Sequence, residues 1–170
     1  MEELSQDAIV QAKSDGELQL VVFNTGKEDF GIEIMNVQEI IRMTNITKIP
    51  QSPDYVRGII NLRGKISVVI NLNVVMGMDS RDHDENTRII VTSINDTVVG
   101  FVVDSVSEVL RLPSSKVEAA PALVSAKVNS NYLKGVGKLD NRLLLLLDMG
   151  RVLTKDEMAQ IPAIQEMHNA

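Results

Sequence analysis

An all-β protein of two packed five-stranded barrels, finished by a short C-terminal helix, is the fold class that this sequence predicts, and three observations predict it. The chain of 170 residues is 44% hydrophobic yet only 3% aromatic, with no Trp. Its core is therefore aliphatic and rich in Val and Ile, which favour strands. Its apolar runs are short and are separated by turn signals such as NTGKED, NDT and LDN. Finally, the chain contains itself twice. FGIEIMNVQEIIR (30–42) overlays VGFVVDSVSEVLR (99–111) at an offset of 69, and YVRGIINLRGKISVVINL (55–72) overlays YLKGVGKLDNRLLLLLDM (132–149) at an offset of 77.

Taken in chain order, the first copy predicts strands near 18–24, 29–34, 37–42, 56–62 and 65–72, and the second near 88–94, 97–103, 106–112, 133–139 and 142–148. Across the copies Gly31 matches Gly100, Glu39 matches Glu108, Arg42 matches Arg111, Tyr55 matches Tyr132 and Gly58 matches Gly135. The change of offset places eight extra residues within LPSSKVEAAPALVSAKVNS, a loop-like stretch. A five-stranded sheet this small is best stabilised by closing on itself, which removes its edges. The expected organisation is a mobile tail over 1–16, a first barrel over 17–75, a polar connector over 76–86, a second barrel over 87–150, and a helix with its tail over 151–170. Thr154 and Glu157 form a T-x-x-E capping box opening that helix, which Pro162 is expected to end or kink.

Composition removes many chemistries. The net charge is −6 and the pI about 4.9, so no global basic field attracts nucleic acid or anionic lipid. The absence of Cys excludes disulfides, thiol nucleophiles and thiolate metal sites. The leucine run at 143–147 is far short of the ~20 residues of a membrane helix, and the acidic N-terminus lacks the basic start of a signal peptide. A cytoplasmic protein is expected, with no direct membrane insertion.

Enzyme readings fare badly. His83 lies in the acidic connector and His168 close to the C-terminus, and neither place promises the rigidity a general base needs. Asp82, His83, Asp84 and Glu85 match no EF-hand or zinc spacing, and no phosphate-binding glycine loop occurs. KGVGK (134–138) is better explained by a β-bulge. No catalytic residue, no cofactor and no metal are expected. Small barrels also bind nucleic acid through aromatic platforms, but Phe23, Phe30, Phe101, Tyr55 and Tyr132 sit in apolar strands and serve the cores. A module binding nucleic acid or a small ligand is the alternative reading, with no nucleic-acid partner expected.

One hairpin raises a separate question. In NLRGKISVVINL (61–72) the turn carries Arg63, whereas the matching turn of the second copy carries Asp140 and Asn141, ordinary turn residues. Arg63 is thus read as surplus to folding. Arg57, Arg63 and Lys65 are read as gathering at one end of the first copy, with Glu39 on a neighbouring strand. An exposed arginine suits a protein interface, where its planar fork pairs with carboxylates. Equally, a basic edge paired within the fold would contribute only ~0–1 kcal/mol. The residues alone leave both readings open.

The motif P-x-x-P-x-Y-V-R-G-x-I-N-L-R-G at Pro50 to Gly64, with FGIEIMNVQEIIR, VGFVVDSVSEVL and YLKGVGKLDNRLLLLLDM in that order around it, resembles the CheW family of bacterial chemotaxis coupling proteins over about residues 17–160. The resemblance implies two SH3-like barrels and a non-enzymatic adaptor between the cytoplasmic tip of methyl-accepting chemoreceptors and the regulatory domain of the histidine kinase CheA. It also implies a place at the inner membrane through receptor arrays. Carried over by motif, it implicates Ile34, Val37 and Gly58 in kinase binding. Glu39, Arg63 and Val109 are likewise implicated in receptor binding, in a groove between the barrels. The chain departs from the family where a proline and an aspartate commonly follow NLRG; here Val68 and Asn71 stand.

Overall fold

The computed structural model describes residues 16–79, 82–119 and 132–169. The first copy forms β1 (Glu17–Thr25), β2 (Glu28–Glu33), β3 (Val37–Arg42), β4 (Val56–Leu62) and β5 (Lys65–Asn71), followed by a single helical turn, α1 (Leu72–Val75). The second forms β6 (Arg88–Ile94), β7 (Thr97–Val103), β8 (Ser105–Pro113), a two-residue β9 (Val117–Glu118), β10 (Leu133–Lys138) and β11 (Leu143–Leu147), and the helix α2 spans Lys155–Asn169. All ten predicted strands are present, and β9 adds one inside the stretch read as loop. Residues 1–15 of the expected N-terminal tail lie outside the described residues.

Two sheets result, ordered β8-β1-β2-β11-β10-β9 and β3-β6-β7-β5-β4, as two SH3-like barrels. Their membership corrects the expected boundary. Each copy's first hairpin lies in the sheet completed by the other copy: β1–β2 joins β8, β10 and β11, while β6–β7 joins β3, β4 and β5. The two parallel contacts that make this exchange have one register, Val69 opposite Gly100 and Leu146 opposite Gly31. Those four residues are equivalent pairs in the repeat. A division at 76–86 therefore separates the copies but not the barrels, because sequence self-similarity reports which segments are alike and not which lie side by side.

The exchange explains the long apolar runs in the inner strands β1, β5, β6 and β7. Along β1, Leu18, Leu20 and Val22 face a core inside one barrel with Leu112, Leu144 and Leu146. Val21 and Phe23 face the other way, into a core shared by both barrels. Along β6, Ile89 and Val91 fill the second barrel with Ile60, Val69 and Val102, and Ile90 and Ile94 join the shared core. Side chains alternate across a strand, so burial of both faces demands apolar residues at every position. In the shared core Phe23 and Phe30 stack with centroids 5.6 Å apart and planes at 21°. Each such ring is worth about 1.5–3 kcal/mol on burial.

The repeat also fixes a close approach in each barrel. A Cβ on Gly58 would lie 2.4 Å from the Thr47 carbonyl oxygen, and one on Gly135 2.7 Å from that of Glu118. These glycines let the segment after β3, and β9 after β8, pair with β4 and β10. Bulges accompany both, and the one at Gly135 is the bulge read from KGVGK.

Helix α2 is longer than expected, because Pro162 does not end it. Its capping box forms: Glu157 N–H donates to Thr154 Oγ1 at 3.1 Å, and Thr154 N–H to Glu157 Oε1 at 2.8 Å. Yet the helix runs on through Pro162 to Asn169. Proline removes the N–H directed at the residue four back and crowds that residue's carbonyl, but tertiary anchors hold both halves. Ile161 is fully buried, Tyr55 Oη donates to Gln160 Oε1 at 2.6 Å, and Gln165 Nε2 donates to the Val98 carbonyl at 3.0 Å. Burial, aided by the Glu157 carboxylate, raises the Tyr55 phenol above its ordinary range. Among the described residues no helix is long and apolar enough to cross a membrane.

Because β1–β2 has its partners in the second copy, a fragment of residues 17–79 should not fold alone. Circular dichroism should find no cooperative melt in the monomeric fragment; a cooperative transition would contradict the exchange.

Candidate functional site

The turn between β4 and β5 is a two-residue loop, since Leu62 pairs with Lys65. Both loop residues are left-handed, Arg63 at φ 52° and Gly64 at φ 86°, the conformation for which Asn-Gly is preferred. The Gly64 N–H donates to Asn61 Oδ1 at 2.8 Å. A non-glycine residue held in this region costs roughly 1–2 kcal/mol. The matching turn of the second copy avoids it, with Leu139 N–H donating to the Arg142 carbonyl at 2.9 Å and neither Asp140 nor Asn141 at positive φ. Arg63 thus occupies the hairpin position where asparagine or glycine would be more stable.

The guanidinium donates to Glu39 Oε2. This hydrogen bond from Arg63, with its charge, holds the Glu39 carboxyl below its ordinary range and raises the guanidinium in return. The Arg63 side chain remains 71% exposed and that of Glu39 26%. Since β3 and β4 are the two ends of their sheet, the pair clasps the barrel shut, beside a bridge in which Thr47 and Ile59 exchange N–H···O bonds of 2.9 Å. The other barrel has a counterpart. Glu108, the equivalent of Glu39, accepts from Arg142 at 2.9 Å, and Arg142 also lies 3.3 Å from Asp29. The second copy therefore does carry a clasping arginine, at Lys65's equivalent position, and Arg63 is not wholly surplus. What sets Arg63 apart is its place at the strained tip.

Arg63 stands on the rim of a cleft of about 860 Å³ between the β4–β5 turn, the β6–β7 turn and α2, lined by Gln38, Lys65, Thr97, Pro162 and Gln165 among others. Arg57 is not part of this cluster. It and Arg63 lie at opposite ends of β4, roughly 20 Å apart at strand rise, which corrects the expected gathering of basic residues.

The other candidates fall in separate places. Val109 is 54% exposed on β8, an edge strand of the other sheet. Its repeat equivalent, Ile40, is likewise exposed on the edge strand β3. Ile34 opens the 3-10 turn before β3 and is partly exposed, while Val37 at its end packs against the shared core. Gly58 is buried, so its role at any surface is through backbone shape. Sequence reasoning missed Met35, which at 83% is the most exposed large apolar residue described. A signal for it existed: its equivalent in the second copy is Asp104, whose carboxylate accepts from the Gly26 N–H at 3.0 Å, a polar residue at an outward position.

Two fused aliphatic barrels thus carry ion-paired and apolar residues at their exposed edges. The CheW-like domain model matches residues 19–157, and the chain belongs to that family. It is 37% identical over 150 residues to the chemotaxis protein CheW of Klebsiella aerogenes, covering 88% of this chain and 90% of that one. It is 32% identical to the chemotaxis protein CheW of Helicobacter pylori, covering 86% and 87%. The crystal structure of the scaffolding protein TtCheW from Thermoanaerobacter tengcongensis superposes with a TM-score of 0.76 at 31% identity, covering 83% of this chain and 97% of that one. These relatives are named as chemotaxis proteins and the solved structure as a scaffolding protein.

Separating the turn from the ion pair gives a stability prediction. Arg63→Ala keeps a side chain in the left-handed region and loses an exposed pair, so it should lower the melting temperature only slightly. Arg63→Asn relieves the turn and should melt at or above the temperature of Arg63→Ala. The Glu39 carboxyl sits lower in the folded state than in the unfolded chain, so the pair stabilises above the ordinary carboxylate range and ceases to as pH falls through it. The difference between wild type and Arg63→Ala should therefore be present at pH 7 and shrink as pH falls below the ordinary carboxylate range through the lowered folded-state value of Glu39, measured by thermal melts.

Proposed function

We propose that this chain is a non-enzymatic adaptor that couples transmembrane chemoreceptors to the histidine kinase CheA. In this reading it resides in the cytoplasm, peripheral to the inner membrane only through those receptors. The observation that carries this reading is Arg63, an exposed arginine kept in a left-handed turn position where folding favours asparagine, and oriented by Glu39. Strain retained at one exposed side chain is accounted for when that side chain has a task outside the fold. Membership of a family of chemotaxis proteins supports such a task.

In this proposal the receptor tip, a helical hairpin, lies across the junction of the barrels. A helix in a groove is held by apolar anchors and polar orienters. Arg63 and Glu39 on one barrel supply the orienters, and Val109 on the other supplies an anchor. The kinase regulatory domain takes a different face, around the 3-10 turn. Ile34 and the newly found Met35 make apolar contact there, Val37 supports them from the core, and Gly58 sets the backbone of the neighbouring strand. Two faces on a fused pair of barrels let one small protein hold both partners at once.

Arg63→Ala should weaken binding of a receptor-tip fragment by about 2 kcal/mol or more, roughly thirty-fold, while kinase affinity stays unchanged. Calorimetric titration against both fragments checks this, and equal losses for the two partners would contradict it.

Ile34→Asp and Met35→Asp should show the reverse selectivity, since a charge without a partner at an apolar contact costs several kcal/mol. Gly58→Ala belongs to another class. Its Cβ meets the Thr47 carbonyl at φ 152°, so it should lower the melting temperature along with kinase binding. A Gly58→Ala protein as stable as wild type but deficient in kinase binding would make Gly58 a direct contact.

A further inference from the structure

A cleft of about 350 Å³ opens beside β4, lined by Thr44, Asn45, Ile46, Lys48, Arg57 and His83 with Met43. Arg57 donates from one nitrogen to Asn71 Oδ1 at 2.9 Å, and its other terminal nitrogen lies 3.4 Å from His83 Nδ1. Neither Arg57 nor Lys48 pairs with a carboxylate among the described residues. The nearby Asp84 carboxylate accepts from Asn86 N–H at 2.8 Å and from Thr87 Oγ1 at 3.4 Å within its own turn.

The internal repeat shows what stands at this place in the other barrel. The equivalent of Arg57 is Lys134, and Lys134 donates to Glu33 Oε2, with side chains only 13% and 20% exposed. Glu33 comes from β2, the hairpin contributed by the other copy. The equivalent of Glu33 is Val102 on β7, a buried core residue. One barrel thus completes its cation with an internal carboxylate, whereas in the other the carboxylate position is filled by valine and the cation faces an open cleft. An Arg fork pairs bidentately with a planar carboxylate. The Thr44 hydroxyl and the Asn45 amide offer further neutral donors.

We propose that the Lys48–Arg57 cleft receives a carboxylate from outside the chain, the acidic side chain of a protein partner, which gives Arg57 from the open cleft the counter-charge that Glu33 gives Lys134 from within the fold. The site lies at the far end of β4 from Arg63 and is separate from the receptor-binding residues. It does not depend on which protein presents the carboxylate.

The test uses the full isotope-labelled chain and N-acetylglutamate as probe, with N-acetylglutamine as the neutral control and sodium chloride holding ionic strength constant. Saturable shifts of the Asn45 side-chain amide and the Arg57 Nε–H are expected with the glutamate and not with the glutamine. Arg57→Gln retains an amide donor toward Asn71 and should weaken the midpoint by at least about tenfold, and Lys48→Gln, at an exposed position, should weaken it less. Equal shifts from both probes, or an unchanged midpoint in both variants, would overturn the proposal. Inorganic phosphate binding about tenfold more tightly than the carboxylate would reassign the cleft to free phosphate and overturn the protein-partner reading.

Discussion

The rest of the structure depends on the apolar layer between the barrels. Val21, Phe23, Phe30 and Ile32 reach it from the first hairpin, Ile90, Val99, Phe101 and Val103 reach it from the second, and Leu147, Met149 and Ile161 close it from the C-terminal side. Because each hairpin hydrogen-bonds into the other copy's sheet, this layer is filled from both copies at once. Removing one copy would expose a face of each surviving strand and leave the hairpins without sheet partners. A duplicated small barrel has thereby become one folding unit, with a larger fraction of its surface buried than either half could reach alone.

That constraint sets which strands are left as edges. Exchange leaves β3 and β8 as sheet edges on the two barrels, each with an exposed β-branched residue, Ile40 and Val109, and each with a glutamate clasped by an arginine from a hairpin. The clasps are equivalent in place but not in manner: Arg142 reaches Glu108 from after its turn, and Arg63 reaches Glu39 from a left-handed residue within it. A fixed relation between the barrels matters to a scaffold, since partners bound to separate faces communicate only if those faces do not move independently.

The strands were legible because both-face burial writes itself as continuous Val, Ile and Leu, and the repeat supplied their number. The exchange was not legible. Offsets of 69 and 77 identify equivalent residues, and equivalence is silent on adjacency; the parallel contacts of β2 with β11 and of β5 with β7 carry no sequence mark. Helix α2 passed Pro162 because Ile161 and Gln165 anchor it from tertiary contacts that local propensity does not contain. At the candidate site, the unusual chemistry of an Arg-Gly turn was visible, and so was Glu39 as a partner. The role of Arg142 was hidden by a two-residue shift in the repeat. Met35 was overlooked although Asp104 marked its position as outward.

Differential scanning calorimetry of the intact chain tests the fused-core account most directly. A core filled from both copies predicts one endotherm whose calorimetric and van't Hoff enthalpies agree, with the two barrels melting together. Two resolved transitions would contradict it, because barrels that unfold in turn cannot share the hairpins and the apolar layer on which the structure depends.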